Sequence, residues 1–174
     1  GPARAASSHS RIVAMVIAAS AAIAAGGVVG VGASGAGAAS MNTIVSDVTA
    51  SIDGSGLASG LPVINSGSTT VTALDRSTIR TLTLGASIAA AFAGTAAVAL
   101  SIGVSVALNN IDTAVTSRLA DVSVTGGAGR AVQVTADRSA VIDSLAVAAS
   151  LAASASGVVT VAVPLLIRDA VDHY

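Results

Sequence analysis

"TLTLGASIAAAFAGTAAVALSIGVSVALN", residues 81–109, contains no charged residue and no proline, and it decides between a strand fold and a helix fold. Its large apolar residues all have even numbers, and every odd position from 81 to 107 holds Thr, Gly, Ser or Ala. A period of two is typical of β-strands, whereas an amphipathic helix repeats its apolar residues every three or four positions. The stretch therefore predicts strands with one face of large side chains and one face of small ones.

The same alternation recurs in two other parts of the chain. The large residues that share one phase are Val13, Met15, Ile17, Ile23, Val29 and Val31 in the first part, and Leu145, Val147, Leu151, Val159, Val161, Val163, Leu165 and Ile167 in the last. We expect the large-residue face to fill the interior and the small-residue face to contact a second sheet or a neighbouring chain. Leu84, Ile88, Leu100 and Ile102 should then be buried, and Leu100→Asp should unfold the segment because a buried carboxylate without a partner is costly.

Self-similarity indicates a repeat. Ser77 and Ser139 start equivalent segments, and Ser10 stands at the same place in an earlier copy. Residues 12–52 align with 79–119 without a gap. We predict one continuous array with approximate units 10–76, 77–138 and 139–174, the last unit being partial. The first unit is slightly longer than the second, and its extra residues fall in the turn-rich "GSGLASGLPVINSGS", which contains Pro62.

These patterns predict an all-β fold, a repetitive β-helix-like β-solenoid with repeats of about 62–67 residues of long alternating strands. One unit is either a single broad rung or three narrow coils, and the alternating pair around Gly94 favours a broad rung or a hairpin. A one-rung unit would stack Asp75 on Asp137, which Arg76 and Arg138 would have to neutralise.

Composition limits the classes of function. The chain has 174 residues with a net charge of −1, so nothing indicates a nucleic-acid surface. Cysteine is absent, which excludes disulfides and thiolate metal sites. The first residues match interior sequence and not a signal peptide, so we interpret the chain as a piece of a longer one.

Transmembrane helices are the alternative interpretation. The uncharged runs 12–46, 81–111 and 144–167 are each long enough to span a bilayer. The period of two, the richness in Val, Thr and Ser, and the glycines of "GGVVGVGASGAG" at 26–37 favour strands instead. A membrane-embedded helical or pore-forming segment remains the second hypothesis, and only there is a membrane partner expected.

No arrangement of residues predicts catalysis or metal binding. His9 and His173 lie at opposite ends of the chain, and no pair has the spacing of a nucleophile and its base. "SIDGSG" at 51–56 lacks the further carboxylates of a calcium loop and is interpreted as a turn. We therefore expect no catalytic residue, no cofactor site and no metal site, and no enzymatic activity.

Three segments carry a family resemblance: "TADRSAVIDSLAVAAS" with "GVVTVAV", "SVALNNIDTAVTSRLADVSVTGG", and "RAVQVTADRS". They resemble the repeats of giant bacterial exoproteins, the filamentous-haemagglutinin-like and leukotoxin-like filamentous adhesins. Asn109, Ile111, Val132, Val134, Ala136 and Ser139 occupy the places of the family's recurring motif. The resemblance implies secretion through an outer-membrane pore, a bacterial cell-surface or extracellular location, and a structural or adhesive role without catalytic residues.

The two ends of the chain predict self-association. "SRIVAMVIAAS" near the start and "LLIRDAVDHY" at the end belong to successive copies of one repeat, and neither resembles a cap rich in charge or proline. Repeat arrays need such caps to remain separate. The expected partners are neighbouring repeats of the same chain or identical chains, which would join end to end into open polymers. No host or surface ligand is indicated.

Overall fold

The computed structural model describes residues 2–55, 63–65, 67–125 and 130–173, with side chains at all of these except 65, 166 and 168–173. Every regular element in these ranges is a strand. The strands are β1 (Ala3–Gly26), β2 (Val29–Asp53), β3 (Val63–Asn65), β4 (Thr69–Ala93), β5 (Ala96–Ala120), β6 (Ser123–Thr125), β7 (Val132–Ser156) and β8 (Val159–His173). The turn-rich stretch around Pro62 lies largely outside the described residues.

The long strands form two parallel sheets. Sheet A has the order β1-β4-β7 and sheet B has the order β2-β5-β8, while β3 and β6 pair separately. Each repeat supplies one strand to each sheet, so β1 with β2, β4 with β5, and β7 with β8 make three successive rungs. The protein is an all-β parallel β-solenoid, as the alternation predicted, and its repeat is one broad rung rather than three narrow coils.

The register of the first two rungs follows the sequence alignment. Ile12 pairs with Ile79 in sheet A, and Asn42 pairs with Asn109 in sheet B, as the gap-free alignment of 12–52 with 79–119 requires. The same offset holds along all of β1 and β2. Equivalent positions of the repeat therefore stack on one another, and the ladder of the interior continues from rung to rung.

The third rung corrects one expectation. The sequence aligns Ser77 with Ser139 and then matches the third unit through Gly157 with one insertion, but β7 keeps the offset of Gly94 and Gly157 along its whole length, so Asp75 pairs with Arg138 and not with Asp137. Ser77 likewise pairs with Ala140 rather than with Ser139. The other register would turn every side chain of β7 to the opposite face, so the strand keeps the one that holds Ile142 beside Ile79. The expected stack of two aspartates does not occur.

The burial of the two faces is the reverse of the prediction. Ala89, Ala91, Ala97 and Ala99 are fully buried between the sheets, and the large residues point outward. Among the four residues expected to be buried, Ile88 is 50% exposed and Leu100 is 38% exposed, while Leu84 and Ile102 are only half-buried. The prediction that the large-residue face fills the interior is wrong.

Glycine explains why only small side chains fit inside. A Cβ at Gly103 of sheet B would lie 2.5 Å from the carbonyl oxygen of Ala149 in sheet A, and one at Gly30 would lie 2.6 Å from that of Phe92. The backbones of the two sheets thus approach more closely than the usual spacing of about 10 Å allows. Between such sheets there is space for Ala, Ser and Gly but none for Leu or Phe.

A stacked bend holds the two sheets together at one end of each rung. The Gly94 N–H donates to the Gly27 carbonyl at 3.2 Å, and the Gly157 N–H donates to the Gly94 carbonyl at 3.2 Å. Farther from this bend the interior contains larger side chains, with Ile44, Ile79 and Ile111 packed as one buried cluster. The interior therefore accommodates little volume near the bend and more toward the opposite end.

Candidate functional surfaces

Paired serines join the two sheets inside the first two rungs. The Ser20 and Ser34 hydroxyls lie 2.7 Å apart, and the Ser87 and Ser101 hydroxyls repeat this contact at 2.7 Å in the next rung. In the third rung the equivalent positions are Ser150 and Pro164. The buried Ser150 hydroxyl therefore has no hydrogen-bond partner.

Pro164 also changes the open edge of sheet B. Val159 donates its backbone N–H to Thr95 of the second rung at 3.0 Å, and alternate residues of a strand direct their N–H groups to the same side. Position 164 has the opposite parity, so its nitrogen faces away from β5. The proline removes one donor from the edge of the last rung without breaking the sheet, which is where strands tolerate proline.

A second buried polar group links the first two rungs. The Asn42 side-chain amide donates to the Asn109 side-chain oxygen at 2.8 Å and to the Thr81 hydroxyl at 2.9 Å. The Thr81 hydroxyl donates in turn to the same Asn109 oxygen at 2.8 Å. Since the three side chains are buried, these bonds fix the alignment of the two sheets as well as the stacking of the rungs.

Asp75 is a buried carboxylate in the middle rung. It accepts a hydrogen bond of 2.8 Å from the Ser77 hydroxyl, and its other oxygen has no partner. Arg138, its neighbour in the third rung, donates to the Thr113 carbonyl at 3.3 Å. No three His, Cys, Asp or Glu side chains come together as a metal site within the part of the chain that the structure describes.

Among the residues with described side chains, the other charges lie on the exposed surface of the half farther from the bend. Arg80 and Asp143 approach to 4.0 Å, and Arg118 and Asp53 approach to 3.6 Å. The Ser55 backbone N–H donates to Asp53 at 2.8 Å, and this bond, with the Ser55 side chain and the weaker effect of Arg118, lowers the pKa of Asp53. Exposed pairs of this kind add little to stability.

The half of each rung next to the bend is uncharged on both outer faces. We call residues 13–45, 82–108 and 145–167 the bend half, and none of them is charged. Large exposed side chains cover it, including Val13, Met15, Ile17, Ile23, Val29, Val31, Met41, Ile88, Phe92, Leu100, Leu108, Leu145, Leu151, Val159, Val161, Val163, Leu165 and Ile167. The alternation in the sequence identifies these large residues as one face, but we expected that face to form the core and not the surface.

Residues singled out in the sequence occupy separate places. His9 lies on the exposed face of β1 beside Arg76, and His173 ends β8 in the other sheet. Asp53 and Ser55 of "SIDGSG" form a local side-chain turn, and Gly56 lies outside the described residues. No helix in the described ranges is long and apolar enough to cross a membrane.

Searches with this chain found no matching protein-family model, no matching curated protein and no matching solved structure. The fold itself defines the class. The protein is a flat parallel β-solenoid in which each rung is a pair of long strands closed by a glycine bend.

Proposed function

We propose that this chain is a non-enzymatic structural segment of a large secreted filament or cell-surface protein, and that isolated copies join end to end. The adhesive, secreted character comes from the resemblance of its repeats to those of bacterial filamentous adhesins. The structural role and the self-association are supported by the geometry of the rungs.

The observation that carries the proposal is the pair of open edges. β1 and β2 pair with another long strand on one side only, and so do β7 and β8 on the opposite end of the stack. Each edge presents a nearly full row of backbone donors and acceptors on strands that are 24 and 25 residues long at β1 and β2. Such edges are templates for a further strand, whether it comes from the same chain or from another copy.

The side chains of the two edges are compatible. The second rung already stacks Ile79 on Ile12 and Ile142 on Ile79, so a first rung placed on the third would continue the same ladder. The contact is heterologous, because one edge differs from the other, and it extends into an open filament unless the stack curves.

The test blocks one edge without altering the interior. Thr70 donates its N–H to Pro2, so even-numbered residues of β1 direct their N–H groups toward β4 and odd-numbered residues direct theirs to the open edge. Ala5 and Ala21 are odd-numbered and exposed. The double variant Ala5→Pro, Ala21→Pro removes two edge donors and adds ring bulk, whereas Ala5→Ser, Ala21→Ser keeps both donors and is the control.

Sedimentation velocity over a concentration series gives the answer. We expect the wild type and the serine control to form polymers whose size grows with concentration, and the proline variant to sediment as smaller species with an unchanged circular dichroism spectrum. A wild type that remains monomeric at high concentration would overturn the self-association, and equal polymers of all three proteins would show that the edge of β1 is not the contact.

A further inference from the structure

We propose that the bend half inserts into the hydrocarbon layer of a lipid bilayer, with the charged half remaining in water. The inference goes beyond the proposed function but rests on it in one respect, because the open edges must be paired by stacked rungs before they enter lipid. It depends on three observations: where the charges stop, how long the uncharged half is, and what its interior contains.

The charges stop near one level in β1, β2, β4, β5 and β7, whereas in β8 the first charged residue, Arg168, pairs with Ser105 and so stands nearer the bend than Asp112. The charged residues nearest the bend in sheet A are Arg11, Arg80 and Asp143, and the register places them within two positions of one another. In sheet B they are Asp47 and Asp112, which are also two positions apart. Hydrogen bonding between Thr81 and Asn109 shows that these two levels face each other across the interior.

The uncharged half is long enough to cross the apolar part of a bilayer. From Arg80 to the bend at Gly94 the strand runs without a charged residue. At about 3.3 Å per residue this stretch is roughly 45 Å long, and the hydrocarbon core of a bilayer is about 30 Å thick. The bend adds no charged residue that would have to enter the bilayer, since Gly27, Val28, Gly94 and Thr95 carry no charge.

The interior of the bend half hides its backbone and most of its polar side chains. The strands are paired in parallel ladders, and the Ser20–Ser34 and Ser87–Ser101 pairs satisfy each other between the sheets. What faces outward is aliphatic, with Ile23 78% exposed and Met41 77% exposed. This is the reverse of a water-soluble sandwich, which has its large residues inside.

Lipid fits this surface better than a second copy on its face. A copy packed against sheet A would cover one outer face and leave the other outer face and the bend exposed. A bilayer surrounds both faces and the bend together, and it accounts for a charge boundary near one level in β1, β2, β4, β5 and β7. Unpaired strand edges are excluded from hydrocarbon, so insertion needs further rungs stacked on β1 with β2 and on β7 with β8.

The first experiment is flotation with vesicles of dioleoylphosphatidylcholine, which carry no net charge. The chain is refolded from urea in their presence and separated on a density gradient. Leu100→Asp places a carboxylate on the outer face of the bend half, and Thr116→Asp places one on the outer face of the same strand in the charged half. We expect the wild type and Thr116→Asp to float, and the bound fraction of Leu100→Asp to fall about tenfold or more.

The second experiment locates the surface. The chain has no cysteine, so Ile88→Cys and Thr116→Cys each provide one site for an environment-sensitive fluorophore. We expect the label at position 88, but not the one at 116, to shift to the blue in vesicles and to be quenched by lipids with a spin label in the acyl chain.

The two proposals fail in different ways. Polymers that form in buffer but do not float, or flotation that Leu100→Asp and Thr116→Asp reduce equally, would overturn lipid insertion and leave end-to-end association standing. If the wild type never floats and Leu100→Asp reduces lateral association between chains, lipid insertion is overturned, and a second copy of the chain covers the outer face instead. Flotation of a chain that stays monomeric would overturn the proposed self-association, and with it the requirement that stacked rungs pair the edges before insertion.

Discussion

The hydroxyls of Ser87 and Ser101 lie 2.7 Å apart across the interior of the second rung, and they join two strands that a single glycine bend connects. Ser20 and Ser34 repeat the contact one rung earlier. The pair is lost in the third rung, where Pro164 faces Ser150 and the buried Ser150 hydroxyl has no partner. The third rung thus lacks one of the contacts that hold the two sheets together.

Replacing the proline should restore this contact. We expect Pro164→Ser to be more stable than Pro164→Ala by about 1 kcal/mol, the usual contribution of one hydrogen bond. Comparing serine with alanine cancels the effect of proline on the unfolded chain. Urea denaturation measures the difference, and a serine variant no more stable than the alanine variant would show that Ser150 does not reach position 164.

Close approach of the sheets predicts opposite effects at two glycines. Gly103→Ala directs its Cβ at the Ala149 carbonyl and should destabilise the fold by about 1–3 kcal/mol, the range for overpacking. Gly37→Ala meets no atom within 4 Å, and it should be neutral or stabilise by up to about 1 kcal/mol. Thermal unfolding of the two variants compares them directly, and equal stabilities would contradict a tightly packed interior.

The buried hydrogen bonds of the Asn42 and Asn109 side chains predict that substitutions at two adjacent asparagines, Asn109 and Asn110, differ greatly in their effect on stability. Asn109→Ala removes the acceptor shared by Asn42 and Thr81, and it should cost about 1–3 kcal/mol. Asn110→Ala alters an exposed side chain of the same strand and should have little effect. A double-mutant cycle with Asn42→Ala should show coupling, and additive effects would mean that the hydrogen bond between the two asparagine side chains contributes nothing to stability.

Asp53 predicts a pH dependence at low pH. The Ser55 backbone N–H, with smaller help from the Ser55 side chain and Arg118, holds the pKa of Asp53 below its ordinary value of 3.8. A lowered pKa in the folded state means that the stabilisation is present above pH 3.8 and is lost as the pH falls through the folded pKa. A carbon-13 NMR titration of the Asp53 carboxyl should give a midpoint below 3.8, and a midpoint at or above this value would contradict the turn.

The sequence was sufficient to predict the strands and the stacking of the first two rungs. The alternation from Leu82 to Leu108 indicated strands, and the alignment of Asn42 with Asn109 gave the register that sheet B adopts. The alternation is a local pattern and the alignment depends on a repeat within the chain, so both can be read from a single sequence. In the third rung the alignment of Ser77 with Ser139 was wrong by one residue, because the likeness of "DRS" in the two repeats competed with the phase of the whole strand, whereas the match of Gly94 with Gly157 has the offset that the structure shows.

The choice of the buried face was wrong because it depends on the distance between the sheets. Large apolar residues fill the interior when two sheets pack at the usual spacing. Here Gly85 and Gly103 share a phase with Ser87 and Ala99, and this phase faces inward at both strands. The glycines were the available signal, since a glycine in the middle of a strand often marks a close approach of another backbone. The distance between the two sheets depends on packing between strands, and no local sequence pattern predicts it.

The most direct test of which face is buried compares two adjacent residues, Ala99 and Leu100. Ala99 is fully buried between the sheets, and Leu100 is 38% exposed on the outer face. We expect Ala99→Asp to unfold the chain, since an unpaired buried carboxylate costs several kcal/mol. In buffer without lipid, we expect Leu100→Asp to keep its circular dichroism spectrum and to lose only about 1 kcal/mol in urea denaturation. A folded Ala99→Asp beside an unfolded Leu100→Asp would place the large residues inside and contradict the account.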